Sequence, residues 1–272
     1  MRIAIQGERG AYSEAAALEH FGPDTEVVPC ETFDQAFDAV ESGAAEAGLL
    51  PIENSLAGSI HRNYDLLLQR QLWIFGEHYL RVRHCLIGLP GVSKAEIRKV
   101  ISHPQALAQC EHYLRALPGV SSAVVYDTAG SVKMVREQGD RTVAAVASRR
   151  AAEFYGMDIL DEGIEDDTAN FTRFLALARE ALPAAGDAKT SIVFAMRNLP
   201  GALFKAMSVF ALRDIDLTKI ESRPLVGKPW EYLFYIDLAG STQDPNVSRA
   251  LDNLGEFTSL LRVLGSYPRH RL

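Results

Sequence analysis

Cysteine is scarce in this chain: three in 272 residues, Cys30, Cys85 and Cys110, far apart and set in apolar or helical surroundings. That number and placement exclude a disulfide framework or a cysteine-based metal centre and predict buried, reduced thiols. Positive charge is also short. The 28 Lys and Arg are outnumbered by 35 Asp and Glu, a formal net charge of −7, which excludes a nucleic-acid partner because phosphate binding needs concentrated cations. Neither a basic-then-apolar leader nor a membrane-spanning run is present, so the reading is no membrane association and a cytoplasmic location. Gly7-Glu8-Arg9-Gly10-Ala11-Tyr12-Ser13 lacks the G-x-G-x-x-G spacing of a dinucleotide fingerprint. The adjacent acids Asp166 and Asp167 have no His or Cys beside them, so no metal and no other cofactor is expected.

What is present is 47% apolar, enough for one large or two modest cores. From Arg2 to about Arg179, short β-rich runs (Glu26–Val28, Lys99–Ser102, Ala123–Tyr126, Thr142–Ala147) alternate with helical periods, an α/β signature. Helix starts are marked at Ser13, at the capping box Thr32-Phe33-Asp34-Gln35 and at Ser59. The apolar stretch Leu72–Leu89 separates one βα set from another, which predicts two lobes joined by crossing strands with a ligand cleft between them. Residues 180–188 are small, Pro- and Gly-containing and aperiodic, and are read as a linker between a domain at 1–179 and a domain at 189–272. The second domain predicts strand Thr190–Met196, helix Ala202–Leu212, strands Leu217–Arg223 and Glu231–Leu238, helix Asn246–Leu254 and strand Leu260–Ser266, a ferredoxin-like βαββαβ order.

Four loops of the first domain carry more small polar residues than packing needs: Glu53–Ser59, Ser102–Leu107, Asp127–Ser131 and Asp166–Phe174. Each offers hydroxyl and backbone donors to an anion without cationic side chains. Taken singly, Ser59, Ser102 and Thr128 also read as ordinary helix caps. The ordered set ENSLAGSIH, SHPQALAQC, DTAGS, AAVAS and DDTANFTRF is similar to the motifs of prephenate dehydratases. The resemblance implies a two-lobed α/β catalytic unit related in shape to periplasmic binding proteins, and a cofactor-free conversion of prephenate to phenylpyruvate, carbon dioxide and water. It implies Thr172 as the catalytic residue and Asn54, Ser55, Gly58, Ser102, Gln105, Thr128, Ser148 and Phe174 as substrate-binding positions. Because the chain opens on the family's amino-terminal Gly-x-x-Gly-x-Tyr-Ser element, a single-function form without a fused mutase is expected.

A threonine hydroxyl is a feeble acid, so Thr172 is expected to act as an oriented donor to the departing C4 hydroxyl. Strand alternation turns Arg173 to the opposite face, bracing Asp166, Asp167 or another acid, and returns Phe174 to the side of Thr172. His103, beside Pro104 at a helix start, is left without a catalytic assignment. In the second domain, Asn198-Leu199-Pro200-Gly201-Ala202-Leu203-Phe204 and Ile220-Glu221-Ser222-Arg223-Pro224 resemble the signature segments of phenylalanine-sensing ACT domains. That implies an effector site at Asn198, Pro200, Gly201, Ala202, Leu203, Glu221, Ser222 and Arg223, L-phenylalanine as effector, and a homodimer or dimer of dimers. Two rivals are carried: an arogenate dehydratase, and a non-catalytic amino-acid sensor.

Overall fold

A computed structural model describes every residue except Pro183, Ala185, Val226, Lys228, Pro229, Trp230 and Leu272. The chain runs β1 (Arg2–Gln6), α1 (Tyr12–Phe21), β2 (Glu26–Cys30), α2 (Phe33–Glu41), β3 (Ala47–Asn54), β4 (Gly58–Ser59), α3 (His61–Gln69), β5 (Trp73–Arg81), β6 (Cys85–Gly88), β7 (Lys99–Ser102), α4 (Pro104–Ala108), α5 (Glu111–Arg115), β8 (Ser121–Val124), α6 (Thr128–Gln138), β9 (Val143–Ala147), α7 (Arg149–Tyr155), β10 (Asp158–Glu162) and β11 (Phe171–Ala178). It continues with β12 (Ala188–Met196), α8 (Ala202–Ala211), β13 (Leu217–Pro224), β14 (Tyr232–Ala239), α9 (Pro245–Gly255) and β15 (Leu260–Pro268). Two compact units result: Met1–Ile60 with Tyr79–Phe174, and His61–His78 with Leu175–Leu272. Pro183 and Ala185 of the expected linker lie outside the described residues.

The α/β expectation holds. One sheet has the order β2-β1-β3-β11-β5 with β4 on β3, and another the order β10-β6-β9-β7-β8. The chain passes from the first to the second through Val82–His84 and returns before β11; the two crossings are tied where the Val82 N–H donates to the Asn170 carbonyl at 2.8 Å. Strand β9 is buried on both faces, as a strand covered by helices on either side must be. Val143, Ala145 and Ala147 pack with α6 and α7, and Ala144 and Val146 with the α4–α5 side. The capping box at α2 forms as expected, with Gln35 N–H donating to Thr32 Oγ1 at 3.2 Å. The three cysteines are buried and free. No helix among the described residues is long and apolar enough to cross a membrane.

In the second unit, β12, α8, β13, β14, α9 and β15 form an antiparallel sheet ordered β13-β14-β12-β15. Ile192, Phe194, Met196, Ile236 and Leu238 bury one face of it against Ala206 and Phe210 of α8 and Val247, Leu251 and Leu254 of α9. Residues 61–78 cover the other side. The Tyr235 hydroxyl donates to the Tyr64 carbonyl at 2.9 Å, and Arg262 donates to the carbonyls of Leu67, Leu68, Arg70 and Leu72 at 2.8 to 3.2 Å, serving the carbonyls a helix end leaves unpaired. Gly265 has no alternative here: a Cβ on it would stand 2.0 Å from the Ile74 carbonyl oxygen.

Candidate active site

The first unit holds a cavity of about 450 Å³, lined from the first sheet's side by Gln6, Tyr12, Phe33, Asn54, Thr172 and Phe174, among others, and from the second sheet's side by His84, His103, Gln105, Gln109, Tyr126 and Thr128. The expected cleft between two sheets is therefore present. Thr172 and Phe174 both line it. Arg173, between them, is buried to 5% exposure and lies over the Tyr79 ring, 5.9 Å from its centroid. Alternation along β11 has worked as expected, but Asp166 and Asp167 are occupied elsewhere: Asp166 accepts from the His112 backbone N–H, and Asp167 accepts from the Ala169 N–H at 2.8 Å.

Asn54 fixes the threonine's orientation. Its Oδ1 accepts from the backbone N–H groups of Leu56 and Ala57 at 3.1 and 2.9 Å, so its amide nitrogen must face the other way. That nitrogen donates to Asn170 Oδ1 at 2.8 Å, the Phe171 carbonyl at 3.2 Å and Thr172 Oγ1 at 3.0 Å. A threonine oxygen that receives a proton on one side keeps its own O–H for another acceptor. The turn after β3 therefore sets Thr172 as a donor to whatever fills the cavity.

The other residues expected to hold substrate divide sharply. Gln105 and Thr128 line the cavity with Asn54 and Phe174; Ser55, Gly58, Ser102 and Ser148 do not. Ser55 Oγ bridges the turn to β11, donating to the Ala169 carbonyl at 2.7 Å and accepting from the Phe171 N–H at 2.9 Å. Ser102 is fully buried and donates to the Val146 carbonyl at 2.6 Å. Ser148 caps α7 and donates to the Gly10 carbonyl at 2.6 Å. Gly10 is held at φ +87°, and a Cβ there would meet the Ala151 Cα at 2.8 Å, so the amino-terminal motif supplies a close backbone contact. The helix caps fall on neighbours of the expected hydroxyls: His103 caps α4 and Asp127 caps α6, whereas Ser102 and Thr128 do not.

Sequence reasoning missed a chain of three lining residues. The Tyr12 hydroxyl lies 2.8 Å from both the Arg83 carbonyl and His84 Nδ1, and His84 Nε2 lies 2.9 Å from Gln109 Oε1. Burial lowers the His84 pKa and raises that of the Tyr12 phenol, so both are held uncharged. Among the described residues no cluster of His, Cys, Asp and Glu could hold a metal ion.

The residues expected to meet an effector are spread over two segments of the second unit. Asn198, Pro200, Gly201 and Leu203 are exposed and Ala202 partly so, and Gly201 precedes α8 in a left-handed conformation, φ +77°. Ser222 is exposed. Arg223 forks onto Asp65 of α3, with Nε and Nη2 at 2.9 and 2.7 Å from its two oxygens, and Glu221 lies 3.3 Å from His61 Nε2.

The family model described as prephenate dehydratase matches residues 3–182. A plant relative from Arabidopsis thaliana, "Arogenate dehydratase/prephenate dehydratase 2, chloroplastic", is 52% identical over 98% of this chain and 73% of its own length. Among solved structures, a prephenate dehydratase from Arthrobacter aurescens in complex with L-Phe is 31% identical, covers 99% of this chain and 90% of its own, and has a TM-score of 0.91. Another, described as GqqA, a novel type of quorum quenching acylase, is 41% identical over 99% of this chain and 98% of its own, with a TM-score of 0.93. The cytoplasmic location read from the sequence is overturned by the chloroplastic location of the plant relatives.

Proposed function

The chain belongs to the prephenate dehydratase family, and on that footing we propose that its cavity carries out the decarboxylating dehydration of prephenate to phenylpyruvate in phenylalanine biosynthesis. The observation that carries this reading is the Asn54–Thr172 pair. Loss of the ring carboxylate and the C4 hydroxyl makes the ring aromatic, so the driving force lies in the substrate, and the enzyme's task is to assist a poor leaving group. Thr172, its oxygen accepting from the Asn54 amide, presents its own proton to the C4 oxygen as negative charge develops there; a donor so placed is worth about 3 kcal/mol in the transition state. Gln105 and Thr128 offer neutral donors, and Phe174 an apolar wall.

Arogenate, which carries an amino group where prephenate has a keto group, is the second reading, favoured by the double name of the Arabidopsis relative. An acyl-transfer reading, after the quorum-quenching neighbour, finds less support: His84 pairs with Tyr12 and Gln109, not with a serine, threonine or cysteine nucleophile. The sensor reading predicts binding without turnover. Adding prephenate or arogenate to purified protein separates these: phenylpyruvate absorbance in alkali, or phenylalanine, marks a dehydratase, and neither product marks a sensor.

The second unit's sheet is an ACT domain in this reading, with L-phenylalanine as effector, as the L-Phe complex of the Arthrobacter relative suggests, and a homodimer or dimer of dimers as the assembly. The effector acts by binding one arrangement of that assembly better than another. Calorimetric titration with phenylalanine beside an inhibition curve tests it; no binding removes the effector assignment.

A further inference from the structure

The cavity of a dehydratase for prephenate or arogenate must receive two carboxylates, yet its lining contains no lysine or arginine. It contains two histidines. His84 has both ring nitrogens engaged, by Tyr12 and Gln109, and its burial favours the neutral ring. His103 differs. Its Nδ1 accepts the Gln105 backbone N–H at 3.3 Å as the cap of α4, and an imidazole nitrogen that accepts from an amide carries no proton. The neutral ring must then hold its proton on Nε2, and the protonated ring needs Nδ1 turned from that amide. Either way Nε2 is a donor. It sits on the opposite edge of the ring from the backbone, in a residue that lines the cavity, and among the described residues it has no hydrogen-bond partner.

We infer that His103 is a substrate-binding residue, whose Nε2–H receives the side-chain carboxylate of the substrate, the one retained in the product. The choice between the two carboxylates follows from the chemistry. The ring carboxylate surrenders its charge as carbon dioxide leaves, so a donor bound to it stabilises the ground state more than the transition state and slows the reaction. The side-chain carboxylate keeps its charge throughout, and a donor there lowers KM without cost to kcat. This rests on the dehydratase reading of the cavity.

His103→Asn is the informative variant. Asparagine keeps an acceptor where Nδ1 caps α4 and deletes Nε2. The expected result is KM raised about tenfold with kcat within about twofold, because one hydrogen bond to a charged group is lost. Phenylpyruvate, which retains the side-chain carboxylate and lacks the ring carboxylate, should weaken as a competitive inhibitor by the same factor. His103→Gln, whose amide reaches the place of Nε2 with a neutral donor, should fall between His103→Asn and wild type. Unchanged KM and unchanged phenylpyruvate inhibition in both variants overturn the inference, as does a loss confined to kcat. A rise in KM with phenylpyruvate inhibition intact assigns His103 to the ring carboxylate and overturns it too. Wild-type protein inert toward both substrates overturns the dehydratase reading itself, and the inference with it.

Discussion

The cavity of the first unit and the sheet of the second treat charge in opposite ways. Around the cavity the described lining carries amides, hydroxyls, imidazoles and the carboxylate of Asp127 but no lysine or arginine, and Thr172, the proposed donor, is aligned by an asparagine. On the side of the second unit's sheet covered by residues 61–78, ion pairs join the segments, Arg223 with Asp65 and Lys189 with Glu77 at 2.8 Å, beside Arg262 on four carbonyls, its pKa lowered by burial. Neutral donors fit a site whose substrate loses a charge in the reaction, since a strong cation would hold that charge in place. Ion pairs fit an interface that must keep register between segments far apart in sequence.

Breaking the neutral side should have the largest effect. Thr172→Ala should lower kcat about 100-fold or more with the melting temperature little changed, measured by steady-state turnover beside calorimetry; near-normal turnover would move the chemistry elsewhere. Asn54→Asp sharpens the same point, because it places an acceptor where the amide now donates. The Thr172 proton then turns back to the carboxylate, and kcat should fall about tenfold or more; combined with Thr172→Ala, the losses should fail to add. On the ionic side, Arg262→Met leaves carbonyls at the end of α3 unpaired and should cost about 2 to 3 kcal/mol in denaturant unfolding. Asp65→Asn removes a partly exposed pair and should cost only about 1 kcal/mol, with kcat unaltered. The smallest effect is one of pH. Burial depresses the His84 pKa, so the unfolded chain binds this proton more readily; stability is full above the ordinary imidazole value of about 6.5 and falls as pH drops from there toward the lowered folded value. Melting curves across that range should decline less steeply for His84→Gln than for wild type.

The elements of the second unit were legible because apolar periods switch cleanly there: α8, expected at 202–212, spans Ala202–Ala211, and β15, expected from Leu260 to Ser266, ends at Pro268. At the site, β11 alternation was legible and hydroxyl direction was not. Ser55, Ser102 and Ser148 look like Thr128 in sequence, but each turns its oxygen to a backbone group that only the folded chain brings near. His84 was hidden for another reason. It stands inside the apolar stretch Leu72–Leu89, where a histidine reads as core, and only the crossing between sheets exposes it to the cavity. The Tyr12 signal was present in the amino-terminal Gly-x-x-Gly-x-Tyr-Ser element, but the spacing alone does not show its hydroxyl reaching His84.

The clasp of Arg262 on residues 67–72 has a consequence for how the chain is made. Its hydrogen bonds join positions 190 to 195 apart, so while the ribosome is still extending the polypeptide the segment 61–78 is out of the exit tunnel long before the strand that secures it exists. Ile60, which lines the cavity, leads directly into that segment. Vectorial synthesis therefore leaves segment 61–78 without its clasp until the last strand has emerged, and a nascent chain stalled before Leu260 should remain open to protease around α3.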